Sequence, residues 1–285
     1  MINTFICNSL PQLDNLYALI IGYRPSNGAR SPSIWNHYFN SSSASCHMYP
    51  ADVDSEDDLE SLLTFAASDP LFLGAAVAAP YKSSVYSSKS VHVSDLSSLS
   101  SHSVNCIYRS SGGSLKGINT DALAFVLSLK KFRLDTLKPV FIYGLGSTGR
   151  AISSLLSKFY QVSAFNRTSH PQLISFSKQN NIRLLPSLPT SLSSYQLVVN
   201  ATIVGSSQFE AQNQLLFTQD LVSTSSPRLL YYDINYTPES TDQSKVFESL
   251  NIATVNGLAM NQLQAYIALS HVMHRPLDQI TCHFM

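Results

Sequence analysis

Apolar positions come in two rhythms along this chain. Short strand-like runs recur at Tyr17 to Ile21, Leu73 to Ala79, Val104 to Arg109, Ser114 to Ile118, Pro139 to Tyr143, Leu197 to Asn200 and Leu229 to Ile234. Between them, apolar residues fall three and four apart, the spacing of a helix with one buried face. Asp54 to Leu63 opens with acids, which suit a helix N-terminus, and carries Leu59, Leu62 and Leu63. Asp121 to Phe132 sets Ala122, Phe125, Val126 and Leu129 on one side. Ile152, Leu155, Leu156 and Phe159 make another buried stripe, and Leu258 to His274 carries Met260, Leu263 and Ile267. Gly112-Gly113 predicts a hairpin turn between two strand runs, and Pro80 ends the run before it. The serine-rich tracts Ser97 to Ser103 and Ser191 to Ser194 predict solvated loops or helix starts.

One junction between the rhythms carries chemistry. The chain reads Phe141-Ile-Tyr-Gly144-Leu-Gly146-Ser147-Thr148-Gly149-Arg-Ala151, an apolar strand, a G-x-G-x-x-G turn and a helix. In that order Gly144 permits the tight turn, Gly146 lets the backbone approach a pyrophosphate, and Gly149 lets the helix pack close on the strand. The free N–H groups of the first helical turn, at Ser147 and Thr148, then face phosphate. A glycine-rich structural turn would share the motif but would not need both flanks. The next strand run selects the coenzyme. A NAD-binding unit places Asp or Glu about 20 residues past the first glycine to bond the ribose. Here Val162-Ser-Ala-Phe-Asn166-Arg167-Thr168 offers no carboxylate. The planar fork of Arg167 suits the 2′-phosphate of NADP, with Asn166 and Thr168 adding hydrogen bonds.

The alternation of strands and helices, with the nucleotide unit second, predicts an α/β protein. Residues 1–120 with 256–285 form one expected domain and 121–255 a Rossmann domain. The C-terminal helix returns to the first domain, leaving a cleft of the kind ligands favour.

Bulk numbers narrow the partners. With 285 residues, 44% hydrophobic content and zero net charge, the chain has ample material for a core and no basic excess for nucleic acid or anionic membrane. Cys7, Cys46, Cys106 and Cys282 are scattered, with neither a disulfide frame nor a metal pattern, which fits a reducing cytoplasm. No basic segment precedes an apolar one at the start, so no signal peptide is expected. The longest apolar stretch, Leu71 to Pro80, is too short to span a bilayer. A small-molecule substrate is the expected partner, with no nucleic acid and no membrane, for a monomer or homodimer.

A series of further motifs stands in order: Gly22 leading to Ser31-Pro32-Ser-Ile-Trp-Asn36, Pro80-Tyr-Lys82, Ser103-Val-Asn105-Cys, and Gly117-Ile-Asn119-Thr120-Asp121. After the glycine turn come Asn166-Arg-Thr168, Asn200-Ala-Thr202-Ile-Val-Gly205, Asp233-Ile-Asn-Tyr236-Thr-Pro238, and Asn256-Gly-Leu-Ala-Met260-Asn-Gln-Leu-Gln264-Ala. With these motifs the chain resembles the shikimate dehydrogenase family over most of its length. The resemblance implies an N-terminal α/β substrate domain and an NADP-binding Rossmann domain. It also implies reversible hydride transfer between NADP and a hydroxyl of shikimate or a related cyclic polyol acid, in the pathway to aromatic amino acids.

It puts Lys82 and Asp121 at the reaction centre, with Ser31, Asn105, Tyr236 and Gln264 toward the substrate. Asn200, Thr202, Gly257 and Met260 join the glycine turn and Arg167 toward the coenzyme. The chemistry is coherent. Oxidising a secondary alcohol sends a hydride to the nicotinamide and leaves a proton for the protein to handle. A lysine in a cleft can take and return that proton while an adjacent Asp holds it in place. Burial and pairing pull such a lysine in opposite directions. In isolation, Lys82 reads as a solvated lysine after a proline and Asp121 as a helix cap; the motif series favours catalysis.

The chain also departs from the family. The substrate loop usually carries S-x-S-P, but here it reads Ala29-Arg30-Ser31-Pro32 and is one residue longer from Gly22. The strand before the lysine usually keeps an Asn and a Thr, but here it reads Ala76-Val77-Ala78-Ala79-Pro80. Each lost hydrogen bond in a dry pocket costs ~1–3 kcal/mol. Either Arg24 or Arg30 holds the carboxylate, or the ligand is not shikimate. Three readings remain: a shikimate-type dehydrogenase, a related oxidoreductase with a rebuilt acid-binding wall, and a non-catalytic metabolite-binding homologue. Lys82, Asn105 and Asp121 argue against the last; Ala29, Ala76 and Ala78 argue for the second.

Overall fold

The structure is a computed structural model that describes residues 15–207 and 215–284. Cys7 lies outside them. The described chain divides into two compact units: residues up to Asp121 with those from Gln262 onward, and Ala122–Asn261.

The first unit is built on β1 (Leu16–Gly22), β2 (Cys46–Asp52), β3 (Phe72–Val77), β4 (His92–Val93), β5 (Cys106–Arg109) and β6 (Leu115–Ile118). Their order across the sheet is β2-β1-β3-β5-β6-β4. β1 runs parallel to β2 and β3, and β5 runs antiparallel to β3 and β6. Four helices alternate with these strands: α1 (Ser31–Ser41), α2 (Glu56–Ser68), α3 (Lys82–Ser87) and α4 (Leu96–Ser101).

The pleat of β1 feeds two cores, because successive side chains point to opposite faces. Leu19 and Ile21 pack with Leu59, Leu62 and Leu63 of α2. Ala18 and Ile20 pack on the other face with Trp35 and Phe39 of α1. The same face receives Ala265, Ala268, Leu269 and Val272 of the C-terminal helix, which therefore returns to the first unit. Helix α2 starts one residue past Ser55, whose hydroxyl accepts from the Asp58 N–H at 3.1 Å, with Glu56, Asp57 and Asp58 in its first turn.

The second unit is a single parallel sheet: β7 (Val140–Tyr143), β8 (Val162–Phe165), β9 (Arg183–Leu184), β10 (Leu197–Asn200), β11 (Leu230–Asp233) and β12 (Ala253–Val255). The strands lie in the order β12-β11-β10-β7-β8-β9. The chain winds outward from β7 in one direction, returns to the middle, and winds outward from β10 in the other. This is the doubly wound order, whose reversal point lies between the carboxyl ends of β7 and β10. Its helices are α5 (Asp121–Ser128), α6 (Ser147–Leu156), α7 (Pro171–Gln179), α8 (Gln219–Ser223), α9 (Asp242–Ser249) and α10 (Leu258–Val272), the last continuing into the first unit. Phe141, Val198, Tyr231, Phe217 and Phe247 form its aromatic core. Among the described residues, no helix is long and apolar enough to cross a membrane.

Three expectations about local structure need correction. Helix α6 ends at Leu156, and Phe159 is 60% exposed rather than part of a buried stripe. Its N–H bonds the Leu156 carbonyl in a tight turn that leads out to β8. Helix α5 stops at Ser128, and Leu129 to Phe132 continue in short-range turns instead. The tract from Ser97 to Ser103 is not solvated throughout: Ser98, Ser101 and Ser103 are buried. Ser101 bonds back to the Ser97 carbonyl, and the Ser103 hydroxyl meets Asn119 Nδ2 at 2.7 Å, so for these two hydroxyls partners replace water.

Leu269 sits where the returning helix meets the β1–β3 face, whereas Leu137 is 86% exposed. Leu269→Ala should cost about 2–5 kcal/mol of unfolding free energy in urea titration. Leu137→Ala should stay within about 0.5 kcal/mol. Equal effects would contradict this packing.

Candidate active site

Lys82 is the first residue of α3, and two bonds fix its backbone. Tyr81 anchors the turn before it by donating its hydroxyl to the Val53 carbonyl at 2.9 Å. The Lys82 carbonyl accepts from the Val104 N–H at 2.8 Å, tying the helix start to the chain entering β5. Asn105 follows, its carbonyl taking the Val77 N–H and its N–H reaching the Ile118 carbonyl. Asp121 comes directly after β6, at the head of α5. The sheet thus brings together three residues from three separate motifs.

Lys82 Nζ lies 2.8 Å from Asp121 Oδ2, with the two side chains 17% and 5% exposed. Asn105 Nδ2 donates to Asp121 Oδ1 at 2.7 Å and to Thr120 Oγ1 at 3.0 Å. Asn105 Oδ1 accepts the Thr120 N–H at 2.8 Å. The Asp121 N–H in turn reaches Asn119 Oδ1 at 3.0 Å. Each carboxylate oxygen therefore has a donor, and the lysine side chain keeps some exposure to solvent. Such a lysine can exchange a proton with a ligand hydroxyl. Asn119, Thr120 and Ser103 are the supporting residues that motif reading left without roles.

The glycine turn follows β7 in the second unit. Gly144 has φ +97°, and a Cβ there would overlap Thr202 Cγ2. A Cβ on Gly149 would overlap the Gly144 carbonyl. At Gly146 a Cβ would meet nothing within 4 Å among the described residues, so the backbone there is open to an approaching group. Gly146 also precedes α6 and makes no side-chain cap bond of its own. Asn166 turns inward. Its Oδ1 accepts the Leu145 N–H at 2.8 Å and its Nδ2 donates to the Thr168 carbonyl at 2.6 Å. These bonds help shape the glycine turn. Arg167 is exposed at the end of β8. Burial raises the Tyr143 phenol, and the positive charge of Arg167 opposes that rise.

The turn after β10 lies across the reversal point from the glycine turn. Asn200 is wholly buried, and its Oδ1 takes the N–H and hydroxyl of Thr202 at 3.0 and 2.7 Å. These side chains hold the turn's shape. Met260 is buried, and Gly257 has no room for a Cβ, which would overlap the Ile234 carbonyl. Tyr236 is half-buried.

Ser31 opens α1, half-buried, next to exposed Arg30. Ala29, Ala76 and Ala78 all pack into the one apolar cluster around Trp35. Arg24 is engaged: its guanidinium is 2.9 Å from Asp54 and 3.9 Å from buried Asp52. Burial raises the Tyr266 phenol, and the charge of Arg30 works against it. Tyr266 follows half-buried Gln264 by two residues, and the Gln264 carbonyl accepts from Thr120 Oγ1 at 3.2 Å. Among the described residues, no group of three His, Cys, Asp or Glu is placed to hold a metal.

Comparison with known proteins bears on this arrangement. The chain is 29% identical over 257 residues to the NADP(+) shikimate dehydrogenase of Carboxydothermus hydrogenoformans, covering 87% of this chain and 88% of that protein. This chain resembles shikimate dehydrogenases. Its fold also matches the shikimate 5-dehydrogenase of Listeria monocytogenes, solved with shikimate and NAD, with a TM-score of 0.78 at 22% identity, covering 98% and 99% of the two chains. The ligand-free 5-ketofructose reductase of Gluconobacter sp. strain CHM43 matches with a TM-score of 0.75 at 18% identity, covering 95% and 99%. No family model matches. The two structural matches share the fold while their names give different substrates.

Asn105→Ala would remove the bonds that Asn105 makes to Asp121 Oδ1 and to the Thr120 N–H. Each such bond lost at a buried group costs about 1–3 kcal/mol, so the variant should lose at least about 2 kcal/mol in denaturant unfolding. Stability within about 0.5 kcal/mol of the parent would show that water replaces the amide freely.

Proposed function

We propose that this protein is an NADP-dependent oxidoreductase of the shikimate dehydrogenase type. It interconverts a hydroxyl and a carbonyl on shikimate or a related cyclic polyol acid. The observation that carries the proposal is the Lys82–Asp121 pair at 2.8 Å, locked by Asn105. A non-catalytic binder has no need for a positioned ammonium beside a nearly buried carboxylate.

The first unit is the substrate-binding part in this reading, and the second holds the coenzyme. The residues of the second unit fit NADP. Gly146 leaves its backbone uncovered, Gly144 and Gly149 close the turn around it, and Arg167 stands exposed where a NAD-specific unit carries an acid. NADP supplies the hydride acceptor. The protein does the rest: Lys82 as the neutral amine takes the hydroxyl proton during oxidation, becoming the ammonium, and returns that proton during reduction, while Asp121 holds the ammonium so formed and accepts from a neighbouring substrate hydroxyl. Asn105 keeps Asp121 aligned. Ser31, Gln264 and Tyr236 complete the contacts to the substrate, and Gly257 and Met260 those to the nicotinamide side. Free thiols at Cys46, Cys106 and Cys282 suit a cytoplasmic monomer or homodimer.

The alanine wall favours a second reading, in which the preferred substrate is a cyclic hydroxy acid other than shikimate. Ala29, Ala76 and Ala78 join an apolar cluster and offer no side-chain donor to a ligand carboxylate. Their loss resembles uniform binding, so KM rather than kcat should suffer.

Lys82→Ala and Asp121→Asn should each lower kcat by about 10²–10⁴-fold in a coenzyme-reduction assay, the usual worth of a positioned proton-transfer group. NADP affinity should hold, and the double variant should fall far short of the product of the two losses. A Lys82→Ala enzyme within a few-fold of the parent would remove the proposed mechanism.

Arg167→Ala should weaken NADP about tenfold or more and leave NAD nearly unchanged, since a charge-assisted phosphate contact is worth about 1.5–3 kcal/mol. Calorimetric titration of both coenzymes decides this; parallel losses would mean that Arg167 does not read the 2′-phosphate.

The parent enzyme should oxidise shikimate with a raised KM, and Ala29→Ser combined with Ala78→Thr should lower it. An ordinary micromolar KM in the parent would mean that Arg24 or Arg30 has rebuilt the carboxylate site.

A further inference from the structure

Asp233 is an ionisable side chain that the proposed chemistry does not use. It closes β11 and is wholly buried. Burial raises its pKa, and the hydrogen bonds it accepts oppose that rise. A carboxylate is a costly way to fill a core position, because an apolar side chain of similar size carries no desolvation penalty. What Asp233 holds therefore matters.

Its two oxygens have different partners. Oδ1 accepts from Asn200 Nδ2 at 3.1 Å, from the Asn235 N–H at 3.0 Å and from Asn235 Nδ2 at 2.8 Å. Oδ2 accepts from the Tyr231 hydroxyl at 3.2 Å and from Thr241 Oγ1 at 2.9 Å. The two amides lead straight into the turn after β10. Asn200 Nδ2 also reaches the Val204 carbonyl at 3.0 Å, and Asn200 Oδ1 takes the Thr202 N–H and hydroxyl. Asn235 Nδ2 also reaches the carbonyls of Thr202 and Val204, each at 3.0 Å. The turn from Ala201 to Gly205 thus hangs from two amides that are both gripped by one carboxylate. Its near edge abuts the glycine turn, since a Cβ on Gly144 would overlap Thr202 Cγ2.

A doubly wound sheet divides a dinucleotide between its halves, one mononucleotide to each side of the reversal point. The glycine turn and Arg167 stand on the β7–β9 half, which takes the adenosine 2′-phosphate end in the proposed function. The turn that Asp233 holds stands on the β10–β12 half. We infer that Asp233 is a positioning residue for the nicotinamide half of the coenzyme, acting through the Ala201–Gly205 turn. The inference rests on the coenzyme reading proposed above.

The hydrogen-bond chemistry supplies a graded test. All three partners of Oδ1 are N–H groups, which cannot reverse direction. Both partners of Oδ2 are hydroxyls, which can turn and accept. Asp233→Asn can keep its carbonyl on the amides and point its NH₂ at the hydroxyls, whereas Asp233→Ala releases the turn.

NADPH and 2′,5′-ADP, which lacks the nicotinamide half, are titrated calorimetrically into the parent, Asp233→Ala, Asp233→Asn and Asn235→Ala. Asp233→Ala and Asn235→Ala should each weaken NADPH about tenfold, the scale of buried hydrogen bonds lost at a binding turn. Asp233→Asn should stay within about threefold, and 2′,5′-ADP within about twofold throughout. Asn235→Ala carries the test if Asp233→Ala does not fold. Equal losses for the two ligands, NADPH affinity unchanged in the alanine variants, or an Asn variant as weak as the Ala variant would overturn the inference. A parent protein that binds neither ligand would instead overturn the coenzyme reading on which it rests.

Discussion

Asp121 is an ionisable group with almost no access to water, so its neighbours must supply what water would. Lys82 supplies charge, Asn105 supplies a neutral donor, and the Asn119 side chain holds the Asp121 backbone. A buried charge without such partners is costly enough to shift or disrupt its surroundings. Much of the first unit's topology serves this requirement. β3 ends just before the lysine turn, β5 begins just after Asn105, and β6 delivers Asp121. The antiparallel pairing of β5 with β3 and β6 sets these three residues side by side.

The second unit handles a buried carboxylate by a different route. Around Asp233 the compensation is neutral, with two amides and two hydroxyls from four residues. Neutral donors share themselves between the carboxylate and neighbouring carbonyls, as Asn200 and Asn235 both do. The first arrangement keeps the proposed proton carrier in place, and the second keeps backbone in place.

What the sequence shows in advance follows from how local each constraint is. The glycine turn is legible because its three glycines answer to sterics within a few residues and across to one neighbouring turn. The buried strands and the returning helix are legible because periodicity reports burial directly. The end of α6 is not, since a stripe gives a face but no stop, and Phe159 falls on the stripe yet outside the helix. The burial of Ser101 and Ser103 depends on Asn119, which only the sheet brings near. The pairing of Arg24 with Asp52 and Asp54 is likewise visible only in space. Asn166 and Asn200 carry the right atoms for a ligand, but their local bonds direct them to the backbone.

The central claim is that the Lys82–Asp121 pair serves the oxidation of a ring hydroxyl with NADP as acceptor. Supplying the parent protein with shikimate, quinate and related ring hydroxy acids, each with NADP and with NAD, tests it most directly. The absorbance of reduced coenzyme is the readout. The account predicts its growth with a ring hydroxy acid, faster with NADP than with NAD. No reduced coenzyme with any of these acids, from a protein that still binds NADP, would contradict it.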